Sequence, residues 1–421
     1  MIILSGGDLV LPDRIVTGGS LVLDGSRIAA VESNARVDTA GAEVVDARQC
    51  YVVPGFIDVH VHGLDGIDLF DRDAAVAEMA GRMPAFGVTA FCPTSIACDP
   101  AALRGFLAAV GRARLAPSAR VARVLPAHLE SNFLNPEYAG AQPLECLRVP
   151  ADLDARSTPL APGAETTFSG REILDVIATC RADVGIVTVA PELEGGIDLV
   201  RTLCADGHRV SLGHSGADFD QAMAAFDAGA RHATHLFNRM PALAHRAPGL
   251  PGAALAREDV VAELICDGHH VHPAMCRLAM SAKGPRGILA ITDGTAGAGL
   301  PVGSSARLGP RTIRVGPYAA ELENGTLAGS TLTMDRAFAN VVNLFGGSLV
   351  DAALMCATNP ARALGLAGHG VIAEGAPADL AVLDRNFRVV RTFVGGVQAW
   401  GPPGGGQSWG PPSGGPSEIR S

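Results

Sequence analysis

The stretch that decides the fold runs from residue 54 to residue 63 and reads Pro54-Gly55-Phe56-Ile57-Asp58-Val59-His60-Val61-His62-Gly63. Its apolar run predicts a buried strand. His60 and His62 stand two apart at the end of that strand, where residues i and i+2 share a face. Both imidazoles therefore point the same way and can hold one metal ion. Taken alone, the spacing fits two ordinary polar side chains at a strand end equally well.

Further short apolar runs follow this stretch, and they alternate with Ala-rich amphipathic segments such as Ala74–Phe86 and Asp218–Ala228. Strands that alternate with helices are typical of a parallel sheet. Eight strands favour a closed (β/α)8 TIM-like barrel over an open α/β sheet, and the carboxyl ends of all the strands then meet on one face. The eight predicted strands are Gly55–Val61, Gly87–Pro93, Arg123–Glu130, Val184–Ala190, Arg209–Gly213, His232–Leu236, Val260–Asp267 and Gly287–Thr292.

The two ends of the chain have a different texture. Residues 1–52 alternate apolar and polar positions around turn signals, among them Asp24-Gly25 between two short strands, and the pattern returns at 370–400. We predict that both ends form one small β-sandwich domain beside a barrel domain of residues 53–369. Segment 305–328 predicts a strand pair inserted after the eighth strand. Residues 401–421, rich in Gly, Pro and Ser, predict a disordered tail.

Composition argues against several classes of protein. The 421 residues are 48% hydrophobic and 18% charged, which suits a large core and argues against disorder. A net charge of -10 without a basic stripe argues against nucleic acid and anionic membrane as partners, and an anionic substrate must then be bound by local positive charges. The nine scattered cysteines form no C-x-x-C pair. Together with the lack of a signal peptide and of any apolar run of about 18 residues, they predict a cytoplasmic protein with reduced thiols.

Residues able to bind a metal also stand at other strand ends. The third predicted strand ends on Glu130, His214 follows the fifth, and His235 lies at the end of the sixth. Two His, one Glu and an open position make a common hydrolytic zinc environment, and His60 with His62 adds room for a second ion. Each of these residues alone could have a purely structural role. Potential metal ligands at several predicted strand ends together are hard to explain by chance.

Asp293 follows the eighth predicted strand, in Ile291-Thr292-Asp293-Gly294. An Asp before Gly is common in turns and helix caps. Beside a metal ion, its carboxylate can instead take a proton from water and deliver it to a leaving amine. On the loops after the sixth and seventh strands, Asn238, Arg246 and His270 can bind a phosphate or carboxylate, although loop Arg residues are usually only solvated.

The strand ends and the loops that follow them contain a set of longer motifs. They are PGFIDVHVHG (54–63), HLE-x-x-FLNP-x-x-x-GA (128–141), SLGHS (211–215), ATHLFN-x-M (233–240), R-x-PG (246–249), DGHHVHP (267–273), ITDG (291–294) and LAGSTLTMDRA (327–337). With these motifs the chain resembles one family, the N-acetylglucosamine-6-phosphate deacetylases of the amidohydrolase superfamily, over about residues 1–400. Amidohydrolases at large share His-x-His and the final Asp, whereas LAGSTLTMDRA and THLFN-x-M narrow the resemblance to this family.

The resemblance implies a role for each matching residue. Glu130, His214 and His235 hold the main metal, and Asp293 is the catalytic acid and base. His60 and His62 match the ligands of a second ion that some members have lost. The implied cofactor is one or two divalent ions per subunit, zinc before iron, manganese or cobalt. The implied substrate contacts are Asn238, Arg239, Arg246, His270 and the backbone of Leu327, Ala328 and Gly329. The family is homodimeric, and the residue that matches Arg246 comes from the partner subunit.

This chain departs from the family at two points. Members usually have HLEGPF where this chain has Ser131-Asn132 between Glu130 and Phe133, a change that could reshape the pocket and alter the sugar epimer accepted. Gln142 stands where many members have a His that polarises the substrate carbonyl. Gln donates a hydrogen bond but carries no charge, so we expect the metal to do more of that work.

The sequence thus predicts hydrolysis of the acetamide of N-acetylglucosamine 6-phosphate to glucosamine 6-phosphate and acetate, in amino-sugar breakdown or recycling. Two alternatives stay open. One is the galactosamine epimer. The other is an amidohydrolase acting on a different amide, such as a D-aminoacyl or cyclic amide, which would not need Arg246 for a phosphate. A non-catalytic protein with the same barrel is disfavoured, because such proteins typically lose metal ligands. This chain keeps all five candidate ligands and Asp293.

Overall fold

A computed structural model of the protein describes residues 1–33, 41–155 and 167–402. The predicted tail, 401–421, lies outside the described residues from position 403 onward. Within the described ranges the chain forms a barrel of parallel strands, a separate sheet built from the two chain ends, and a small inserted sheet.

Eight parallel strands form the barrel, and each coincides or overlaps with a predicted one. Their bounds are Phe56–Val61, Val88–Ser95, Ala127–Glu130, Val184–Val189, Arg209–Leu212, His232–Ala233, Val261–Ile265 and Ile288–Ile291. Each strand pairs with the next in chain order. The third is shorter than predicted because Pro126, which has no N–H to donate, separates it from a two-residue strand at Arg123–Val124.

The barrel closes between its last strand and its first. The backbone N–H of Asp293 donates to the His60 carbonyl over 2.9 Å, and a parallel bridge follows one residue further on. Below it, the buried Asp58 carboxylate accepts the Thr292 hydroxyl over 2.6 Å. These bonds hold the ends of the first and eighth strands side by side, where both carry predicted site residues.

Helices surround the barrel and follow its strands. Their bounds are Ala75–Arg82, Pro100–Leu115, Gly170–Thr179, Gly196–Ala205, Phe219–Asp227, Gly249–Ala256, Pro273–Lys283 and Met334–Asn343, followed by Leu349–Ala353, a π-helical turn at Leu354–Thr358, and Asn359–Leu364. The two segments predicted to be amphipathic are confirmed as helices, the first with a 3-10 turn at its end. Asp99 and Asp218 begin two of the helices by accepting backbone N–H groups of the first turn. No helix in the described part of the chain is long and apolar enough to cross a membrane.

The two chain ends meet in one hydrogen-bonded sheet of eight strands. Its strands are Ile2–Val10, Ile15–Asp24, Arg27–Glu32, Glu43–Asp46 and Tyr51–Pro54 from the beginning of the chain, and Leu380–Leu383, Val389–Val394 and Val397–Trp400 from its end. The strand at 51–54 pairs antiparallel with the strand at 380–383 and so joins the two ends, as predicted. The sheet has a hydrophobic core separate from that of the barrel. The domain limits, 1–52 with 370–400 and 53–369, stay a proposal.

Asp379 fastens this sheet to the barrel. Its buried carboxylate accepts hydrogen bonds from the Arg123 guanidinium, from His369 Nδ1 over 3.0 Å and from the Gly395 backbone N–H over 2.7 Å. Burial opposes ionisation, but the bonds from His369 and Arg123 outweigh it and lower the pKa of Asp379. The ionised carboxylate therefore contributes to the junction between barrel and sheet.

The segment after the eighth strand differs from the prediction, since it forms four antiparallel strands and not a pair. The strands are Ser305–Leu308, Arg311–Val315, Ala319–Glu321 and Leu327–Ser330. Turns at Gly309-Pro310, Gly316-Pro317 and Asn324-Gly325 divide the segment three times. The last strand brings the insert to the barrel, because the Ser330 N–H donates to the Asp293 carbonyl over 2.8 Å.

Candidate metal centre and active site

The carboxyl ends of the barrel strands bring the predicted metal ligands into two adjoining clusters. In the first, Glu130 Oε1 lies 3.1 Å from His214 Nε2 and 3.0 Å from His235 Nε2, and the two nitrogens are 3.1 Å apart. All three side chains are buried. Glu130 ends the third strand, whereas His214 and His235 follow the fifth and sixth. The barrel thus joins residues that are 84 and 105 positions from Glu130 in the sequence.

The second cluster joins the first and last strands. His60 Nε2 and His62 Nε2 are 3.3 Å apart, and Asp293 Oδ1 lies 3.5 Å from the former and 3.2 Å from the latter. The two clusters touch, since Glu130 Oε1 lies 3.3 Å from His60 Nε2 and Glu130 Oε2 lies 3.6 Å from His62 Nε2. Glu130 therefore stands between them, where a carboxylate able to bridge two ions would stand.

The nitrogen lone pairs of these histidines fit a divalent cation. His214 donates through Nδ1 to the Tyr138 carbonyl over 2.8 Å, and His60 donates through Nδ1 to the Glu263 carboxylate over 2.9 Å. A neutral imidazole that donates through Nδ1 presents a lone pair at Nε2. Lone pairs that face a carboxylate oxygen at about 3 Å repel it unless positive charge lies between them. A tetrahedral zinc site with metal–ligand distances of about 2.0–2.1 Å separates its ligand atoms by about 3.3 Å, close to the spacings found here.

The carboxylates make this part of the molecule attractive to a cation. Burial disfavours the charged form of His60, yet Glu130, Glu263 and Asp293 around it raise its pKa well above the ordinary value. The surrounding carboxylates therefore favour positive charge at His60 Nε2, either as a proton in the metal-free protein or as a metal ion that replaces the proton. Burial also opposes ionisation of Asp293, but its hydrogen bond with His62 and the charge of His60 outweigh that effect and lower its pKa. The clusters therefore hold ionised carboxylates close together, and a divalent ion would relieve their mutual repulsion.

Three of the site residues follow their strands in a strained backbone conformation. The angle φ is +46° at His214, +28° at His235 and +48° at Asp293. Residues other than Gly rarely adopt positive φ, which costs about 1–3 kcal/mol each. Gly329 lies so close to this turn that a Cβ on it would come within 2.8 Å of the Asp293 carbonyl oxygen. Strain retained at three strand ends on one face indicates that this face is the functional one.

A cavity of about 500 Å³ contains most of the predicted site. Its lining residues are His62, Ile96, Glu130, Glu137, Tyr138, Ala141, Gln142, His214, His235, Phe237, Asn238, Arg239, Met240, His270, Asp293, Leu308, Leu327 and Gly329. Two predicted substrate contacts do not line it. Ala328 packs among apolar side chains of the insert. Arg246 is exposed and makes no hydrogen bond or ion pair with any described residue. A volume of this size suits a sugar phosphate.

Gln142 is held in one orientation. Its Oε1 accepts the Ala97 backbone N–H over 2.8 Å, and its Nε2 donates to Glu130 Oε2. If the amide were reversed, its NH2 group would face the Ala97 N–H and its oxygen would face the Glu130 carboxylate. Neither pair could form a hydrogen bond, so the two partners fix the orientation of the amide. Gln142 therefore presents N–H groups to the cluster and holds Glu130 in place.

His270 stands in the cavity wall as half of an Asp–His pair. Its Nδ1 lies 2.5 Å from Asp267 Oδ2, and Asp267 Oδ1 accepts the backbone N–H groups of His269 and His270. Burial opposes protonation of His270, but the bond to Asp267 raises its pKa. Arg239 brings positive charge into the cavity of a protein whose net charge is -10, and the raised pKa of His270 favours its protonated form beside it.

Ser131 and Asn132 point away from the cavity. Ser131 Oγ donates to the Thr188 carbonyl over 2.6 Å, and Asn132 Nδ2 donates to the Cys98 and Cys146 carbonyls over 2.7 Å each. Neither side chain lines the cavity. The pair does not shape the pocket by direct contact. Asn132 ties two neighbouring loops to the end of the third strand, and Ser131 ties the fourth strand to it.

Sequence reasoning missed the residues that stand behind the ligands. Asp58, two positions before His60, fastens the barrel closure, and Glu263 accepts the His60 ring N–H. One signal was present in the sequence, because Glu263 interrupts the apolar run Val260–Cys266. A charged residue inside a strand with two buried faces must be paired or must serve a metal site.

The comparison with known proteins agrees with this geometry. The amidohydrolase family matches residues 51–399. The chain is 31% identical to N-acetylglucosamine-6-phosphate deacetylase of Bacillus subtilis over 392 residues, which are 92% of this chain and 94% of that protein. It is 33% identical to N-acetylgalactosamine-6-phosphate deacetylase of Escherichia coli O157:H7 over 364 residues, 86% of this chain and 91% of that one.

A solved structure extends the comparison to three dimensions. It holds a variant of N-acetyl-D-glucosamine-6-phosphate deacetylase from Mycobacterium smegmatis in complex with N-acetyl-D-glucosamine-6-phosphate. The match has a TM-score of 0.83 at 31% identity and covers 94% of this chain and 99% of the other. The chain therefore belongs to the amidohydrolase family, and within it to the N-acetylglucosamine-6-phosphate deacetylase group.

Proposed function

We propose that this protein is a metal-dependent deacetylase that hydrolyses N-acetylglucosamine 6-phosphate with one water to glucosamine 6-phosphate and acetate. The observation that carries the proposal is the pair of adjoining clusters, one with Glu130, His214 and His235 and the other containing Asp293, beside a cavity lined by Arg239 and His270. The clusters offer metal ligands and a carboxylate for proton transfer, and the basic side chains suit a phosphorylated substrate. Relatives named for this reaction support the same substrate.

The metal-binding residues divide into a main and a second site. Glu130, His214 and His235 would hold the main ion, which when bound would supply a Lewis acid able to polarise the carbonyl and to lower the pKa of water. His60 and His62 offer the second position. Zinc suits these nitrogen and oxygen donors best, and iron, manganese and cobalt accept similar donor sets.

Asp293 is the proposed acid and base. Its ionised carboxylate takes a proton from the attacking water and returns it to the nitrogen of the leaving amine. The side chain lines the cavity and is 12% exposed, so it can reach a bound substrate. Gln142, whose N–H groups face the cluster, is proposed to help stabilise negative charge on the carbonyl oxygen without carrying charge itself.

The sugar phosphate is proposed to contact Asn238, Arg239 and His270 and the backbone of the 327–329 segment. Arg246 is proposed to bind the phosphate of a substrate that lies in the cavity of the partner subunit of a homodimer. This arrangement would account for an Arg that is exposed and lies outside the cavity of its own chain. An Arg can bind a phosphate through two N–H groups at once, which gives geometry as well as charge.

A reducing compartment suits the thiols of this chain. All nine cysteines are free, and five of them are buried. Reduced, scattered thiols are usual for cytoplasmic proteins. We therefore propose a cytoplasmic enzyme of amino-sugar breakdown or recycling.

N-acetylgalactosamine 6-phosphate is the second candidate substrate, because a relative with 33% identity is named for it. The test is acetate release from both N-acetylhexosamines, each with and without the 6-phosphate. We expect the highest kcat/KM for the phosphorylated glucosamine derivative. Asp293→Asn protein prepared in parallel controls for contaminating activity. A preference for the other epimer would reverse the substrate assignment, and release from none of the four would refute the function.

A further inference from the structure

Glu263 is a buried carboxylate that the mechanism above does not use. It lies in the seventh barrel strand, Val261–Ile265, and its side chain is fully enclosed. Its Oε2 accepts the His60 Nδ1–H over 2.9 Å and the backbone N–H of His235 over 3.3 Å. Glu263 therefore contacts one member of each metal-binding cluster without facing the cavity.

Histidine rings surround Glu263 inside the barrel, and all of them are buried. They belong to His60, His128 and His232. Enclosing a charge in the barrel is costly, so its hydrogen-bond partners should show which group it serves.

His128 cannot be that group. Its Nδ1–H donates to the Val59 carbonyl over 3.0 Å, and its Nε2 accepts the Thr188 hydroxyl over 2.8 Å. Both ring nitrogens are therefore in use, and the 3.7 Å between His128 Nδ1 and Glu263 Oε1 is too long for a hydrogen bond. The ring to which Glu263 bonds is that of His60.

We propose that Glu263 is a positioning residue for the second metal ion, acting through His60. It fixes His60 with Nδ1 protonated, so that the Nε2 lone pair faces His62 Nε2 and Glu130 Oε1 at 3.3 Å each. A carboxylate on the far nitrogen of a metal-binding His sets its tautomer and orientation and makes the ligand nitrogen more basic. The inference rests on the proposed metal-dependent function.

The test is zinc binding by the metal-free protein. Two measurements are used, which are calorimetric titration with zinc and the metal content that remains after dialysis. We expect wild type to bind two ions. Glu263→Gln keeps the shape of the side chain and removes its charge. It should weaken the second ion about 10–100-fold, the usual effect of removing such a partner, and leave the first nearly unchanged. Glu263→Met, which has no strong acceptor, should weaken the second ion further.

Two controls separate positioning from the mere loss of a buried carboxylate. Asp379→Asn makes the same chemical change at a buried site whose partners are Arg123 and His369. It should lower stability and keep both ions. In a His60→Ala background, Glu263→Gln should have no further effect on zinc binding, because the ring through which it acts is gone.

Several outcomes would overturn the proposal. They are wild-type affinity for both ions in folded Glu263→Gln, loss of both ions together, or a further loss in the His60→Ala background. A wild type that binds a single ion would overturn it as well. None of these results would contradict the proposed deacetylation, which is tested separately by acetate release. If Glu263→Met does not fold, the isosteric Gln variant still decides the question.

Discussion

Replacing Arg246 by Ala tests how the enzyme binds the phosphate group. Arg246 is exposed, lies outside the cavity of its own chain, and makes no hydrogen bond or ion pair within the part of the chain that the structure describes. Its loss should therefore change the free energy of unfolding by no more than about 0.5 kcal/mol, the usual effect of a surface substitution.

The effect on catalysis should be larger than the effect on stability. A hydrogen bond to a charged group is worth about 1.5–3 kcal/mol, and 1.36 kcal/mol corresponds to a factor of ten. Arg246→Ala should therefore lower kcat/KM for the phosphorylated substrate about ten- to a hundredfold. The loss should largely vanish for the same sugar without phosphate, which should already react slowly. A net charge of -10 gives the phosphate little help from the rest of the protein.

Subunit mixing then tests the proposed geometry across a dimer. Asp293→Asn dimers lack the base, and Arg246→Ala dimers lack the phosphate contact. When the two proteins are unfolded and refolded together, a mixed dimer contains one subunit that keeps Asp293 and receives an intact Arg246 from its partner. One good site per mixed dimer should reappear, and kcat/KM should rise above that of either parent refolded alone.

The same experiment can refute the reasoning. Wild type taken through unfolding and refolding is the control for recovery. If wild type recovers and the mixture regains nothing, Arg246 serves its own subunit or does not serve the site. If Arg246→Ala slows the phosphorylated and unphosphorylated sugars equally, it does not bind the phosphate.

Three further predictions concern the ions, the base and the fold. Glu130→Gln should lose bound metal and activity together, whereas His60→Ala should lower metal content and leave residual activity; a full metal complement in Glu130→Gln would contradict the ligand assignment. Asp293→Asn should still bind ion and substrate but lose kcat by about 10²–10⁴-fold, and half of the wild-type rate would mean another base. Asp379→Asn should destabilise the protein at pH 7 but much less in acid. The folded pKa of Asp379 is lowered, so its contribution is present above the unfolded pKa of about 3.9 and is lost as pH falls through the folded value. Urea unfolding of both proteins across this pH range measures the difference, and a pH-independent gap would contradict it.

The barrel could be predicted from the sequence because its strands are buried on both faces. Most of them give short, largely apolar runs, and the helices between them give a different period. The inserted sheet was harder, because strands of three to five residues on the surface give weak patterns. The turns at Gly309-Pro310 and Gly316-Pro317 are visible in the sequence, but a turn signal does not say whether the chain between two turns pairs as a strand.

The meeting of the proposed ligands on one face could also be predicted, since parallel topology alone brings the strand ends together there. The contacts behind them depend on pairings that the sequence does not display. Glu263 bonds to a ring 203 positions away and to a backbone N–H 28 positions away. The orientation of Asn132 away from the cavity likewise depends on two carbonyls from separate loops. Tertiary packing determines these side-chain orientations, and they cannot be predicted from local sequence propensities.

The bonds that close the barrel also build the site. The Asp293 backbone donates to the His60 carbonyl over 2.9 Å and accepts the Ser330 N–H over 2.8 Å, so the strained turn of the proposed base is held from both sides. Asp58 and Thr292 secure the same seam one layer below. A change that loosens this seam would move the base relative to His60, whatever the chemical role of the changed residue. Loss of activity at Asp58 would therefore say nothing about catalysis unless metal content and the free energy of unfolding were measured on the same protein.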